Sequence, residues 1–233
     1  MYGFTSVSSK GDLEEGTLYP GLSYGENELR WGFIRKVYGI LAAQILLTTL
    51  VSSFTVLYSP LNLLLRAIPA FSCSLSSCPS SQRHPLNLIF LGLFTVSMSL
   101  TVGVSCAKQM VRRIVLEALI LTSAVVSSLT GYTFWASKKG KDFSYLGPIL
   151  FSSLIILILT GFIQTFFPLG STSVAVYGGL SAIIFSGYIV YDTDNLIKRF
   201  TYDDYIWASV ALYLDILNLF IAIMEILRGG SDG

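Results

Sequence analysis

The sequence predicts an all-α membrane protein with seven transmembrane helices and a central last helix. Of its 233 residues, 53% are hydrophobic and only 12% are charged, and the mean hydropathy is +0.67. Soluble proteins carry about 25% charged residues. Several uncharged runs reach about 20 residues, the length that crosses a bilayer core of roughly 30 Å. A net charge of +1 gives no electrostatic basis for nucleic-acid binding, so the lipid bilayer is the expected partner.

The chain is predicted to form one membrane domain with two short tails. Residues 1–30 are mostly polar and lack periodicity, which predicts a disordered cytosolic tail. Residues 31–228 form the predicted integral helical domain, and residues 229–233 a short C-terminal tail. The first apolar run begins too late for a cleaved signal peptide, which predicts a retained span. The three cysteines and the single histidine do not match zinc-ligand spacing, so no cofactor is expected.

Six of the seven predicted spans are well defined and one is weak. The first span covers residues 37–58, which carry no charge and end before Ser59-Pro60. The second covers residues 61–82, where Arg66, six serines and two prolines predict either a short, broken crossing or a loop. The other spans are predicted over residues 86–107, 114–136, 145–167, 172–192 and 205–227. Glu117, in the first turn of the fourth span, is favoured there by the helix dipole.

The distribution of basic residues supports a real crossing at the weak second span. With seven spans and a cytosolic N-terminus, ten Lys and Arg residues fall on the inner side and four on the outer side. Without the second span the numbers become eight and seven, and the asymmetry disappears. Because cytosolic loops carry an excess of Lys and Arg, the charges favour seven crossings over six.

The last span carries small and polar residues on a single helical face. They recur at spacings of four and three residues, and they are Asp204, Ala208, Ala211, Asp215, Asn218, Ala222 and Glu225. Such a face on an otherwise apolar span avoids lipid and contacts protein or water. We therefore expect the last helix to be central. The alternative interpretation is a packing stripe with one hydrogen-bonded aspartate.

Two aspartates within apolar sequence predict a paired acidic site. Asp192 lies roughly 10 Å from the inner end of the sixth span, and Asp215 roughly 16 Å from that end of the seventh, at 1.5 Å per residue. The two helices are antiparallel neighbours, so the carboxyl groups can meet. Two carboxylates in contact cannot both ionise cheaply, so such a pair holds a proton as a latch. Once deprotonated, it can coordinate a hard cation. Asp194 lies on a different face and is predicted to pair with Lys198 (i, i+4).

The acidic segments resemble those of the transmembrane Bax-inhibitor-motif family. The resemblance lies in residues 187–194 (GYIVYDTD), 203–206 (DDYI) and 212–220 (LYLDILNLF). The sequence of the third to seventh spans, including residues 132–136 (YTFWA), most resembles the plant Lifeguard branch of this family. Two features depart from the family pattern. The family usually has an apolar second helix where this chain is rich in Ser and Pro, and it often has an amide where Asp194 stands.

The resemblance implies a seven-helix fold and a pH-sensitive calcium leak that suppresses stress-induced cell death. The family's paired aspartates, which form the pH sensor at the pore, match Asp192 and Asp215, and these would bind calcium transiently during transport. An arginine near the cytosolic end of the second helix latches the pair, and Arg83 is the nearest positional candidate. We group Asp194, Asn218 and Glu225 with this site as an auxiliary polar face.

Three functions remain open at this stage. The first is a calcium leak channel of intracellular membranes, in the endoplasmic reticulum or Golgi, with other endomembranes or the plasma membrane as alternatives. The second is a non-conducting regulator that acts through other membrane cell-death regulators. The third is an intramembrane hydrolase with an aspartate dyad, which needs a water and a substrate groove. The sequence shows no second hydrolase motif, so we expect no enzymatic activity.

Overall fold

The computed structural model describes residues 17–57, 84–108, 112–167 and 170–231. Within these residues the chain forms six α-helices and no strand, in agreement with the predicted all-α class. The helices are α1 (Tyr24–Leu57), α2 (His84–Lys108), α3 (Arg112–Lys138), α4 (Leu146–Phe166), α5 (Ser171–Lys198) and α6 (Tyr205–Ser231). All six are long and apolar enough to cross a membrane, which fits an integral multi-pass membrane protein.

The predicted second span, residues 61–82, and the predicted latch Arg83 lie outside the described residues. The count of seven spans therefore stays a prediction. The six described helices correspond to the other six predicted spans, with ends that differ by a few residues at most positions and by more at the start of α1.

The helices α1 and α2 run parallel to each other. The Gln44 amide nitrogen donates to the Thr95 hydroxyl at 3.3 Å, and one turn further along both helices the Ser99 hydroxyl donates to the Thr48 hydroxyl at 3.2 Å. Residue numbers therefore rise together along the pair. The last residue of α1 and the first residue of α2 consequently lie at opposite ends of the bundle.

The contact between α1 and α2 is close because α2 contains glycine where the two helices meet. A Cβ atom at Gly103 would lie 2.8 Å from the Thr55 Cβ and 3.2 Å from the Ser52 Cα. Small residues at such positions let two membrane helices approach and exchange hydrogen bonds. The Ser52 hydroxyl uses this proximity to donate to the Ser99 carbonyl at 2.8 Å.

The parallel pair gives a topology prediction. In a background without native cysteines, we expect Leu57→Cys and His84→Cys to react with a membrane-impermeant thiol reagent added to opposite sides of sealed vesicles. A pair of cysteines at the α5–α6 connection, Thr201→Cys and Asp203→Cys, serves as the control and should react from one and the same side. Labelling of residues 57 and 84 from the same side would contradict the parallel arrangement.

Helix α6 is the most enclosed of the six described helices. Half of its most apolar 18-residue window is buried, against 11% to 33% for the other five spans. It contacts α1, α2, α3 and α5, whereas α4 packs mainly against α5. The approach of α5 is closest at Gly178, where a Cβ atom would lie 2.9 Å from the Ala222 carbonyl oxygen. The predicted central position of the last helix agrees with this packing.

One end of the bundle carries most of the basic residues. The start of α1 meets the end of α3 through stacked Trp31 and Phe134 rings at 6.0 Å, and it meets the α5–α6 connection through Arg30, which donates to the Phe200 carbonyl at 2.6 Å. The residues of this basic end are Arg30, Arg35, Lys36, Lys138, Lys139, Lys141, Lys198 and Arg199. The described part of the opposite end has four, namely Lys108, Arg112, Arg113 and Arg228.

The structure corrects the predicted disordered tail at residues 17–30. Helix α1 begins at Tyr24, and Leu18 is buried in the main core at 1% exposure. A capping box explains this early start: the Ser23 backbone N–H donates to the Glu26 carboxylate at 3.3 Å, and the Glu26 backbone N–H donates to the Ser23 hydroxyl at 3.4 Å. The Leu18 backbone N–H also donates to the Asn27 side chain at 3.1 Å. Residues 1–16 of the predicted tail lie outside the described residues.

Candidate acidic site

The structure brings Asp192 and Asp215 together between α5 and α6. Their carboxyl groups lie within hydrogen-bonding range of each other. Asp215 is 7% exposed and Asp192 is half-buried. Two ionised carboxylates would repel each other in this apolar setting, so a hydrogen bond between them requires a proton shared by the pair.

Two residues of α5 complete the surroundings of the pair. The Asn195 side chain, one turn after Asp192, lies within hydrogen-bonding range of the Asp192 carboxyl group. Tyr188, one turn before Asp192, lies within electrostatic range of both carboxyl groups. Among the described residues, the Asp215 Oδ2 atom is buried and has no hydrogen-bond partner. Oxygen atoms of this kind are the ligands that calcium prefers once the carboxyl groups are deprotonated.

Asp194 belongs to a separate network at the basic end. It is 1% exposed, and its Oδ1 atom lies 2.6 Å from the Lys198 Nζ atom, which agrees with the predicted i, i+4 pairing. The Phe143 backbone N–H donates to Asp194 Oδ2 at 3.3 Å, and Lys198 also donates to the Lys141 carbonyl. This network joins the end of α5 to the α3–α4 connection. Among the described residues, neither Asn218 nor Glu225 takes part in the hydrogen bonds and the ion pair of this network, and their grouping with Asp194 stays a prediction.

Two other polar residues of the α6 face, Asn218 and Glu225, lie further along the helix than Asp215. Both are half-buried. Glu225 packs where α5 is closest, with its Cβ atom 3.1 Å from the position of a Cβ at Gly178. Glu117, which we predicted as a helix-end charge, is an acceptor for Arg113 at 2.9 Å in the second turn of α3.

A buried seam of hydroxyl groups connects α6 to the parallel helices α1 and α2. This seam was not predicted from the sequence. The Thr48 hydroxyl is hydrogen-bonded to the Tyr213 hydroxyl at 2.7 Å, two residues before Asp215. Thr95 and Ser99 on the other side are 1% and 0% exposed. The available signal was the i, i+4 spacing of Gln44, Thr48 and Ser52 and of Thr95 and Ser99 within apolar helices.

A cleft of about 660 Å³ opens between α1, α2, α3 and α6. Its lining is mostly apolar, with hydroxyl groups from α1 and α3, and neither aspartate of the pair is among the described lining residues. Ile216 and Leu217, which follow Asp215, form part of its wall. The acidic pair and the cleft are therefore neighbouring but distinct features of α6.

These features define a class of protein: a multi-pass helical membrane protein with a central last helix and a pair of carboxyl groups between its last two helices. Residues 30–232 match the family model described as inhibitor of apoptosis-promoting Bax1. The chain belongs to this Bax-inhibitor family, which confirms the resemblance seen in the sequence. The family description and the name of the vaccinia virus relative concern apoptosis and name no enzymatic activity, so they give the hydrolase hypothesis no support.

Individual relatives match over almost their whole length. The BI1-like protein of Arabidopsis thaliana is 65% identical, with 99% of this chain and 98% of the relative covered. Protein LIFEGUARD 4 of Arabidopsis thaliana is 50% identical over 99% of this chain and 100% of the relative. The Golgi anti-apoptotic protein of vaccinia virus strain Lister is 34% identical, with 96% of each chain covered.

Proposed function

We propose that this protein is a pH-sensitive calcium leak channel of intracellular membranes that suppresses stress-induced programmed cell death. The observation that supports this most directly is the approach of the Asp192 and Asp215 carboxyl groups to within hydrogen-bonding range in the interior of the bundle. A contact that depends on one proton can change the packing of the central helix when that proton leaves.

The repulsion that would arise between the two carboxylates on loss of the shared proton is large enough to shift the protein from a closed to an open state. Two unit charges 4 Å apart repel each other by about 4 kcal/mol at an effective dielectric constant of 20. A change of that size alters the ratio of closed to open molecules about a thousandfold. The pair is closed when it shares a proton or binds an arginine, for which Arg83 is our candidate. It leaks when neither neutralises it, and calcium then binds transiently to the carboxylate oxygens of Asp192 and Asp215.

The cellular setting is proposed from the relatives. The vaccinia relative is named a Golgi anti-apoptotic protein, which supports an endomembrane location and a role in cell survival. We propose the endoplasmic reticulum or Golgi. The protein needs no bound cofactor for this function, because calcium is the transported ion.

The first test is calcium release from sealed liposomes that contain the purified protein. We expect release to exceed that of protein-free liposomes and to rise as the pH is raised out of the range in which the pair holds its proton. Absence of release at every pH would contradict the channel proposal.

A non-conducting regulator is the second candidate, because the names of the relatives describe protection from apoptosis and not conduction. The same preparation separates the two candidates. A protein that protects stressed cells but gives no calcium release at any pH would act through protein partners, such as other membrane regulators of cell death.

A further inference from the structure

Aromatic and basic side chains form an exposed patch where α3 ends. Lys139 and Lys141 place their Nζ atoms 5.5 Å and 5.6 Å from the centre of the Trp135 ring, and Tyr132 lies 6.0 Å from the same ring. Trp135 is 52% exposed and Tyr132 is 45% exposed. We call these four residues the aromatic–basic patch.

The end of α3 fixes the geometry of the patch. Gly140 has a φ of +72°, which favours glycine. Its N–H donates to the Ser137 carbonyl at 2.9 Å, and the Lys141 N–H donates to the Ala136 carbonyl at 3.1 Å. This pair of bonds is the Schellman arrangement, which reverses the chain at a helix end. The reversal brings the lysines on both sides of Gly140 to the same indole ring.

The positive charge of the patch is not neutralised by neighbouring acids. Within the part of the chain that the structure describes, no carboxylate forms an ion pair with Lys139 or Lys141. Asp142, the next residue, is turned toward other groups: it accepts from the Ser144 N–H at 3.1 Å and lies 3.7 Å from Arg199. Hydrogen bonds from Ser144 lower the pKa of Asp142. Asp142 is therefore ionised at neutral pH and accepts these bonds from Ser144.

We propose that the aromatic–basic patch binds the headgroup of an anionic phospholipid in the leaflet at the basic end. Trp and Tyr favour the membrane–water interface, where an indole ring has its apolar body in the lipid and its N–H near water. Two ammonium groups beside that ring offer donors to a phosphate and attract net negative headgroups. The patch stands where α3 leaves the membrane, so a headgroup reaches it without entering the bundle.

The test measures lipid retention by native mass spectrometry of the full chain, with phosphatidylserine and phosphatidylcholine in equal amounts. We expect the wild-type protein to retain phosphatidylserine in preference to phosphatidylcholine. The double variant Lys139→Gln/Lys141→Gln should reduce that preference about thirtyfold. Lys139→Arg/Lys141→Arg should keep it, and Trp135→Leu should weaken it.

A matched control separates a local site from a general loss of charge. Arg113→Gln/Arg228→Gln removes two charges from the opposite end and should leave the preference unchanged. The proposal is overturned if the Lys139→Gln/Lys141→Gln protein, monodisperse and folded, retains phosphatidylserine like the wild type, or if the control loses as much. Displacement of the lipid by millimolar inorganic phosphate would also overturn it, because the patch would then be a site for the free anion.

Discussion

The Lys198→Met variant is expected to lose about 3 kcal/mol of stability, because it leaves the Asp194 carboxylate charged, enclosed and without its cation. Asp194 is 1% exposed, and the α3–α4 connection covers it through Phe143. Lys198 is the only basic side chain that forms an ion pair with it among the described residues. The Phe143 N–H at 3.3 Å does not replace a full positive charge.

The thermodynamic cycle with Asp194→Asn makes this prediction sharp. Asp194→Asn alone should cost less than Lys198→Met, because Lys198 keeps its bond to the Lys141 carbonyl and its side chain is 16% exposed. The double variant Lys198→Met/Asp194→Asn should recover most of the stability that Lys198→Met loses. Unfolding in detergent, followed by temperature or denaturant, measures all three.

Lys138→Met is the matched control, since it removes an exposed lysine from the same end of the bundle. Its melting temperature should stay close to that of the wild type. If Lys198→Met is as stable as the control, or if the losses of the two single variants simply add in the double variant, the buried ion pair does not stabilise this end of α5.

The main features of the acidic site could be predicted from sequence because charges are rare in membrane spans. Asp192 and Asp215 interrupt apolar runs, and the antiparallel order of the last two spans gives them similar depths. The 4-and-3 spacing of small residues around Asp215 predicted a central helix, and the burial of α6 agrees. These signals are local, so they could be read without knowing the packing.

Features that depend on distant partners could not be predicted in the same way. The burial of Asp194 depends on Phe143, which is 51 residues away and positioned by the end of α3. The hydroxyl seam joins Thr48 to Tyr213, which are 165 residues apart in the sequence. Its residues are uncharged and of types that are common in membrane spans. The early start of α1 could have been predicted, because Ser23 and Glu26 have the spacing of a capping box. The polar composition of the segment instead led to the prediction of a disordered tail.

The second large effect is expected at the carboxyl pair. Asparagine has the shape of aspartate and keeps a donor and an acceptor, so Asp192→Asn or Asp215→Asn preserves the contact between α5 and α6. It also removes one of the two groups that can ionise. The mutual repulsion of about 4 kcal/mol, which we propose opens the pathway, then cannot develop at any pH. Both variants should fold like the wild type and remain closed.

The exposed aspartate Asp203 provides the control for this pair of substitutions. It lies in the connection between α5 and α6, next to the same helices but in solvent. Asp203→Asn removes the same charge from the chain without touching the contact. Its calcium release should follow the wild-type pH profile.

The most direct test is therefore calcium release from liposomes across a pH series for the wild type, Asp192→Asn, Asp215→Asn and Asp203→Asn at equal protein density. Release by the wild type and Asp203→Asn should rise with pH, and release by the two pair variants should stay low and flat. A pH-dependent release in Asp192→Asn and Asp215→Asn that matches the wild type would contradict the carboxyl pair as the gate.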